Sequence, residues 1–150
     1  DPKIQVMAQG IDGSPKRIAT NFIKNPNSII LGTSSFWEGV DMPGGILKAI
    51  IIARLPFNVP TDPVFQARSE NVDNPFDDYA IPQAILKFRQ GFGRLIRGQS
   101  DKGVVVVLDR RVLSRNYGKA FINSLPDCSI SKNPLRNLRD DVSKWMKGNI

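Results

Sequence analysis

Apolar residues occur in short continuous runs along the chain, and each run predicts a β-strand. The runs are Ile4 to Ala8, Ser28 to Leu31, Leu47 to Ala53 and Gly103 to Leu108. A strand that is apolar throughout, without alternating polar residues, is typical of a parallel sheet that is covered on both faces. Segments with helical periodicity separate these runs. The pattern therefore predicts an α/β domain with a mainly parallel central sheet and helices on both faces.

Five segments have the spacing of amphipathic helices. Ser14 as N-cap and Pro15 at the first position predict a helix that ends near Asn25, with Ile18, Phe22 and Ile23 on its inner face. The other four run from about Asp62 to Asn71, from Tyr79 or Pro82 past Ile96, from Val112 to Leu125, and from Pro134 through Leu135, Leu138, Val142, Trp145 and Met146. We expect the last helix to dock on the sheet.

The helix from Val112 to Leu125 carries both an apolar and a basic stripe. Its predicted inward residues are Leu113, Tyr117, Ala120 and Phe121. Arg111, Arg115 and Lys119 follow one another at intervals of four residues, so they share a face. We expect this basic stripe to face solvent.

The helix that contains Gln90-Gly91-Phe92-Gly93-Arg94-Leu95-Ile96-Arg97 has the strongest functional pattern. Its apolar face combines Ile85, Phe88, Phe92, Leu95 and Ile96, and the opposite face combines Gln90, Arg94 and Arg97. Paired guanidinium groups suit phosphate oxygens because each offers a planar fork of donors. Each of the two glycines costs a helix about 1 kcal/mol relative to alanine, which favours close approach of a ligand or another backbone. The alternative is a solvated basic face on a helix that ends at Gly93.

The loop after the second strand, Gly32 to Gly44, collects a second set of candidate groups. Ligands of open parallel sheets bind beyond the carboxyl ends of the strands, where this loop emerges. The loop offers phosphate donors (Thr33, Ser34, Ser35), acceptors for ribose hydroxyls or a metal-bound water (Glu38, Asp41), and glycines that permit close approach (Gly39, Gly44). Structural alternatives are equally open: Ser34 as a helix cap, Trp37 as a core anchor, and Asp41 as a turn former before Met42-Pro43.

Composition and charge narrow the class of protein. With 41% hydrophobic and 23% charged residues in 150, the chain is a single soluble globular domain, and no apolar run approaches the ~20 residues that span a bilayer. One cysteine and no histidine make a disulfide, a zinc site or an iron–sulfur cluster implausible, so a reducing cytoplasm fits best. The whole net charge of +7 lies in residues 76–150, which suits a polyanion such as nucleic acid or a generally basic surface.

The two motifs together resemble a known family. Gly-Thr-x-x-Phe-Trp-Glu-Gly-Val-Asp-x-Pro-Gly from Gly32, followed by Gln-Gly-Phe-Gly-Arg-Leu-Ile-Arg from Gln90, is similar to motifs V and VI of the XPD/DinG family of superfamily 2 DNA helicases. Arg54-Leu55-Pro56-Phe57 and the stretch from Val105 to Arg111 are also similar to bacterial DinG proteins. The resemblance extends from about Gln9 to Ser129.

The resemblance implies the second RecA-like motor lobe, a three-layer domain that closes over ATP and Mg²⁺ held mainly by the first lobe of the same protein. It implies single-stranded DNA as the other partner. The implied site residues are Arg94, Arg97 and Gln90 for hydrolysis, with the arginines as fingers on the γ-phosphate; Gly39, Asp41 and Glu38 at the nucleotide; and Thr33, Ser34 and Trp37 at the nucleic acid.

Two departures from the family pattern limit this interpretation. The chain has no Gly-x-x-x-x-Gly-Lys-[Ser/Thr] phosphate loop, and without histidine it has no Asp-Glu-x-His motif. We therefore expect a fragment of a longer protein that is inactive by itself, with any iron–sulfur cluster or nuclease domain outside it. Two alternatives stay open: a non-enzymatic nucleic-acid-binding module, and the regulatory lobe of a DinG-like exonuclease.

Overall fold

The computed structural model describes residues 4–25, 27–33, 36, 40, 42–43, 45–96 and 101–148. The strands are β1 (Gln5–Ala8), β2 (Ser28–Leu31), β3 (Ala49–Ile52) and β4 (Val104–Val107). The α-helices are α1 (Pro15–Lys24), α2 (Pro63–Ser69), α3 (Ile81–Leu95), α4 (Arg111–Ser114), α5 (Gly118–Asn123) and α6 (Leu138–Met146). A π-helix (Pro75–Ala80) precedes α3, and a 3₁₀-helix (Leu135–Asn137) precedes α6.

The described strands form two separate parallel pairs. β1 pairs with β2 in the register that sets Val6 opposite Ile29, and β3 pairs with β4 with Ile50 opposite Val105. Helix α1 connects the first pair, and α3 lies in the connection of the second, as parallel pairing requires. The prediction of parallel α/β structure is confirmed. The single central sheet is not seen among the described residues, which form two sheets of two strands each.

Each sheet has its own hydrophobic core. The first core joins the β1–β2 sheet to α1 and the following loop through Met7, Ile18, Ala19, Phe22, Phe36, Val40 and Met42. The second core joins the β3–β4 sheet to α3 and α5 through Ile52, Leu55, Ala84, Phe88 and Phe121.

Among the described residues, nothing covers the outer face of the β1–β2 sheet. Val6, Ile29 and Leu31 are 54%, 46% and 56% exposed, whereas Met7 on the opposite face is 2% exposed. The predicted helical cover is therefore seen on one face of this sheet, where α1 and the first core pack.

Local capping signals placed two helices correctly. The Ser14 hydroxyl accepts a hydrogen bond from the Arg17 amide at 3.4 Å, and the Asp62 carboxylate accepts one from the Phe65 amide at 2.9 Å. Each cap is followed by proline at the first helical position, as its sequence predicts. On α1 the inward prediction is wrong for Ile23 alone, which is 39% exposed.

The helix expected from Tyr79 or Pro82 is α3, which begins at Ile81, but its buried face differs slightly from the prediction. The π-helix leads directly into α3, and the Asn74 side chain caps this π-helix by accepting a hydrogen bond from the Asp77 amide at 3.3 Å. Phe88 and Leu95 are buried as predicted. Ile85, Phe92 and Ile96 are only partly buried, because the buried stripe follows Ile81, Ala84, Phe88, Gly91 and Leu95.

The predicted helix from Val112 to Leu125 is wrong, because the segment forms two short helices. Arg115, with φ −108° and ψ 149°, ends α4, and the chain turns before α5. Gly118 allows the turn, since a Cβ there would lie 2.2 Å from the carbonyl oxygen of Val112. Leu113 is consequently 61% exposed and Ala120 is exposed, while Phe121 is fully buried and Tyr117 is partly buried.

The tail helix α6 forms, but its predicted docking on the sheet is wrong. None of its residues is fully buried, and Met146 is 50% exposed; Leu135, in the preceding 3₁₀-helix, is 67% exposed. Asp140 and Asp141 in its first turn favour the helix through the macrodipole. Among the described residues, no helix combines the length and apolar character that crossing a membrane requires.

Candidate functional site

The end of α3 and the loop after β2 meet at one hydrogen bond. Arg94 lies half-buried near the end of α3, and its Nη1 donates to the carbonyl oxygen of Val40 at 2.8 Å. Val40 is 6% exposed and belongs to the first core, whereas Phe88 anchors α3 in the second core. The side chain singled out by the sequence therefore contacts the second motif directly.

The remaining groups on this part of α3 fit an anionic ligand. A guanidinium group carries five N–H donors, and the Val40 bond uses one of them. Gln90 precedes Arg94 by one helical turn and is exposed. This donor set matches a phosphate group in charge and in hydrogen-bonding character.

The two helical glycines have different surroundings. Gly91 lies in the buried stripe of α3, where a small residue suits packing. Gly93 is exposed, and a Cβ at this position would meet nothing within 4 Å. Among the described residues nothing crowds Gly93, so close approach of a ligand at this position stays a prediction.

Thr33 lies at the carboxyl edge of the β1–β2 sheet beside a residue that the sequence analysis missed. Gln9 directly follows β1, and its Oε1 accepts from the Thr33 amide at 3.0 Å and from the Thr33 hydroxyl at 3.2 Å. Since an amide N–H can only donate, the oxygen of the Gln9 carboxamide must face Thr33. The only available sequence signal was a polar side chain directly after a parallel strand.

The carboxyl edge of the β3–β4 sheet carries an ion pair whose carboxylate is buried and whose guanidinium group is partly exposed. Asp109 is 8% exposed and accepts from the Leu55 amide at 2.8 Å, while Arg111 donates to the same carboxylate through Nε at 3.0 Å and Nη2 at 2.6 Å. The Arg111 guanidinium also lies 5.3 Å from the centre of the Phe57 ring. Arg111 therefore has a structural partner in Asp109, although its side chain is still 40% exposed, as expected for a solvent-facing stripe.

Each partner of the ion pair shifts the pKa of the other in the direction that keeps both side chains charged. The hydrogen bond from Arg111 lowers the pKa of Asp109 from 3.8 to about 2, against the opposing effect of burial and with the help of the Leu55 amide. The same bond raises the pKa of Arg111. Both side chains therefore stay ionised at physiological pH, and their ion pair stabilises this edge of the sheet.

Six of the nine predicted site residues lie outside the described residues. They are Ser34, Trp37, Glu38, Gly39, Asp41 and Arg97. The structure describes the other three, which are Gln90, Arg94 and Thr33. Arg94 contacts Val40 in the loop after β2, and Thr33 lies at the start of that loop. Across the described ranges, no three carboxylate or thiol side chains come together as a metal site would need.

Comparison with known proteins supports the two-motif interpretation. The family described as "Helicase C-terminal domain" matches residues 1–128. The chain is similar to the "3'-5' exonuclease DinG" of Bacillus subtilis (45% identity over 134 residues, 86% of this chain and 14% of the relative). It is similar to the "ATP-dependent DNA helicase YoaA" of Haemophilus influenzae (43% over 130 residues, 84% and 20%). It is also similar to the "ATP-dependent DNA helicase DinG" of Photobacterium profundum (44% over 131 residues, 83% and 19%).

These relatives are much longer than the chain. The chain spans between 14% and 20% of their lengths, although more than four-fifths of the chain is matched in each case. The likeness therefore concerns one domain of each relative.

Proposed function

The chain belongs to the helicase C-terminal domain family, in the form found in DinG and YoaA proteins, and we propose that it is the second motor lobe of an ATP-dependent DNA helicase. The observation that carries the proposal is the end of α3, where a core-anchored helix presents Arg94 against the motif V loop. That arrangement connects Arg94, one of the residues proposed to bind the nucleotide, with the loop that is proposed to contact DNA.

The chemistry proposed for α3 is stabilisation of charge. ATP, held with Mg²⁺ mainly by the first lobe, supplies the γ-phosphoryl group. Arg94 and Arg97 would bind its oxygens, which carry the negative charge as the bond to the leaving group loosens, and Gln90 would orient the attacking water. Arginine fingers of this kind are worth on the order of 10³–10⁵ in rate. Anchoring of α3 by Phe88 and Leu95 suits the role, because a fixed helix keeps the guanidinium groups in place.

The loop after β2 is proposed to serve both ligands. Gly39, Asp41 and Glu38 would lie at the nucleotide, and the residues proposed to contact single-stranded DNA are Thr33, Ser34 and Trp37. One observation supports a DNA contact here: Thr33 lies at the carboxyl edge of a parallel sheet, where ligands of such sheets bind. The net charge of +7 lies in residues 76–150 and supports a polyanionic partner for the chain without locating it at this loop.

The test uses the full-length protein that carries this domain. We expect DNA-stimulated ATP hydrolysis, and we expect Arg97→Ala to lower its kcat by at least 10³-fold with the unfolding temperature unchanged. Arg97→Lys should rescue poorly, because an ammonium group lacks the planar fork. The isolated 150-residue chain should show no turnover. Near-normal kcat in Arg97→Ala, or steady hydrolysis by the isolated chain, would contradict the proposal.

A second candidate function follows from the name of the Bacillus subtilis relative. Because the chain is 45% identical to a protein named "3'-5' exonuclease DinG", the lobe could regulate DNA digestion by the intact protein instead of driving unwinding. The two functions separate in one assay of the full-length protein. A motor lobe gives ATP-dependent strand displacement, whereas a regulatory lobe gives digestion whose rate changes with ATP and no displacement.

A further inference from the structure

We propose that Arg94 is a positioning residue that ties Val40, and with it the described part of the loop after β2, to the end of α3. The consequence for the motor rests on the proposed function, but the contact itself does not. The contact with Val40 gives Arg94 a positioning role, which is not proposed for Arg97 or Gln90.

The geometry favours a structural link. The Nη1 donor of Arg94 lies 2.8 Å from the Val40 oxygen, within the range of charge-assisted hydrogen bonds. The two residues are 54 positions apart in sequence, so the bond joins distant parts of the chain. It also crosses between the two cores, because Val40 packs in the first core and Phe88, on α3, packs in the second.

The burial of both ends makes the contact persistent. Val40 is 6% exposed and Arg94 is half-buried, so water competes poorly for the carbonyl oxygen. Phe36 and Met42, which flank Val40 in the loop, are also buried in the first core. The hydrogen bond therefore adds a directional contact to a loop segment that hydrophobic packing alone would place less specifically.

The identity of the residue as arginine matters for the same reason. With one N–H on the carbonyl, the planar guanidinium still presents donors on its other edges. A phosphate bound there would compete with, or reorient, the bond to Val40. In a motor lobe, nucleotide binding and the position of the loop would then depend on one side chain.

The first test needs no variant and no ligand. In the 150-residue chain, we expect the guanidinium protons of Arg94 to exchange with water at least tenfold more slowly than those of Arg89, an exposed arginine on the same helix. Nuclear magnetic resonance measures both rates in one sample. Equal exchange rates for the two arginines would overturn the proposal.

The second test removes the donor and keeps the length of the side chain. Arg94→Met should shift the carbonyl carbon resonance of Val40 and speed amide exchange of Val40 and Met42 at least tenfold. Arg94→Lys, which can still donate one N–H, should lie between Arg94→Met and the parent. Arg89→Met makes the same chemical change at an exposed position and should leave these signals unchanged. If Arg94→Met matched Arg89→Met in these signals, Arg94 would not position the loop.

The third test links the contact to DNA. In the full-length protein without nucleotide, Arg94→Met should weaken single-stranded DNA binding at least threefold, and Arg89→Met should not. A motor lobe whose Arg94 acts only on the γ-phosphate would show no change in this nucleotide-free assay. The resonance measurements use neither DNA nor ATP, so failure of this proposal is distinguishable from failure of the proposed function.

Discussion

The carboxyl edges of the two sheets are built from different chemistry. At the β1–β2 edge, Gln9 and Thr33 are joined by neutral hydrogen bonds in an exposed setting. At the β3–β4 edge, Asp109 and Arg111 form an ion pair whose carboxylate is buried and also binds the Leu55 amide. An edge held by weak exposed bonds can exchange them for bonds to a ligand, whereas an edge closed by a buried carboxylate cannot without a large cost. Equivalent positions in the two parallel sheets are therefore held by exposed, neutral hydrogen bonds in one sheet and by a buried carboxylate in the other.

Removing the buried carboxylate should give the largest stability change. Asp109→Ala leaves the Leu55 amide and Arg111 without their shared acceptor, and we expect it to lower the free energy of unfolding by about 2–4 kcal/mol. Denaturant unfolding of the 150-residue chain measures it. Asp73→Ala, at an exposed loop aspartate, is the matched control and should change it by less than about 0.5 kcal/mol. Equal effects at the two positions would remove the contrast between the edges.

Acid should open the β3–β4 edge selectively. The pKa of Asp109 is lowered from 3.8 to about 2 in the folded protein, so its contribution is complete above pH 3.8 and is lost as pH falls through 2. The loss should amount to about 2 kcal/mol, allowing for solvent screening because the Arg111 side chain is 40% exposed. Comparing unfolding curves of the parent and Asp109→Asn between pH 4 and 2 tests this. The parent should lose more stability than the variant, and parallel pH profiles would contradict the assignment.

The exposed edge should respond weakly in stability and more strongly in binding. Gln9→Ala removes the shared acceptor of the Thr33 amide and hydroxyl, and we expect a stability loss of only about 0.5–1 kcal/mol because water can replace it. In the full-length protein the same change should weaken single-stranded DNA binding if Thr33 contacts a phosphate. Thr33→Val keeps the shape and removes the hydroxyl, so it provides the comparison. A stability loss as large as that of Asp109→Ala would show that both edges are structural.

The sequence predicted those parts of the fold whose signals are local. The strands are mainly apolar segments, with β3 and β4 apolar throughout, and Ser14-Pro15 and Asp62-Pro63 cap helices through neighbouring residues alone. The break in the Val112 to Leu125 segment depends on Gly118 packing against a carbonyl from the preceding helix, which periodicity does not encode. For the same reason the uncovered face of the β1–β2 sheet was not predictable from apolar strands.

For the candidate site too, residues with a local sequence signal were predictable and residues placed by long-range contacts were not. Arg94 was identified from the sequence motif that contains it and from its position on one helical face. Its partner is the backbone oxygen of Val40. Every residue has a backbone carbonyl group, so the sequence does not indicate which one accepts this hydrogen bond. Arg111 was assigned to solvent because it continued an apparent basic stripe, yet Asp109, two residues earlier, determines its position. Long-range contacts of this kind required the structure.

A small stability change of the opposite sign should come from Gly93. This residue lies inside α3 with open space around it, so Gly93→Ala should stabilise the chain by about 0.5–1 kcal/mol through helix propensity. Gly103→Ala is the contrasting variant, because a Cβ there would lie 2.4 Å from the Leu95 side chain and should destabilise. Thermal unfolding of both variants in the 150-residue chain measures the difference.

Activity then shows whether the open space at Gly93 is reserved for a ligand. If the nucleotide comes close to α3 at this point, Gly93→Ala should lower the DNA-stimulated ATPase of the full-length protein while raising its unfolding temperature, since a methyl group would occupy ligand space. A gain in stability with full activity would show that Gly93 has no contact with the nucleotide. A loss in stability would instead mean that the surroundings of α3 in solution are tighter than the 4 Å of clear space around this position.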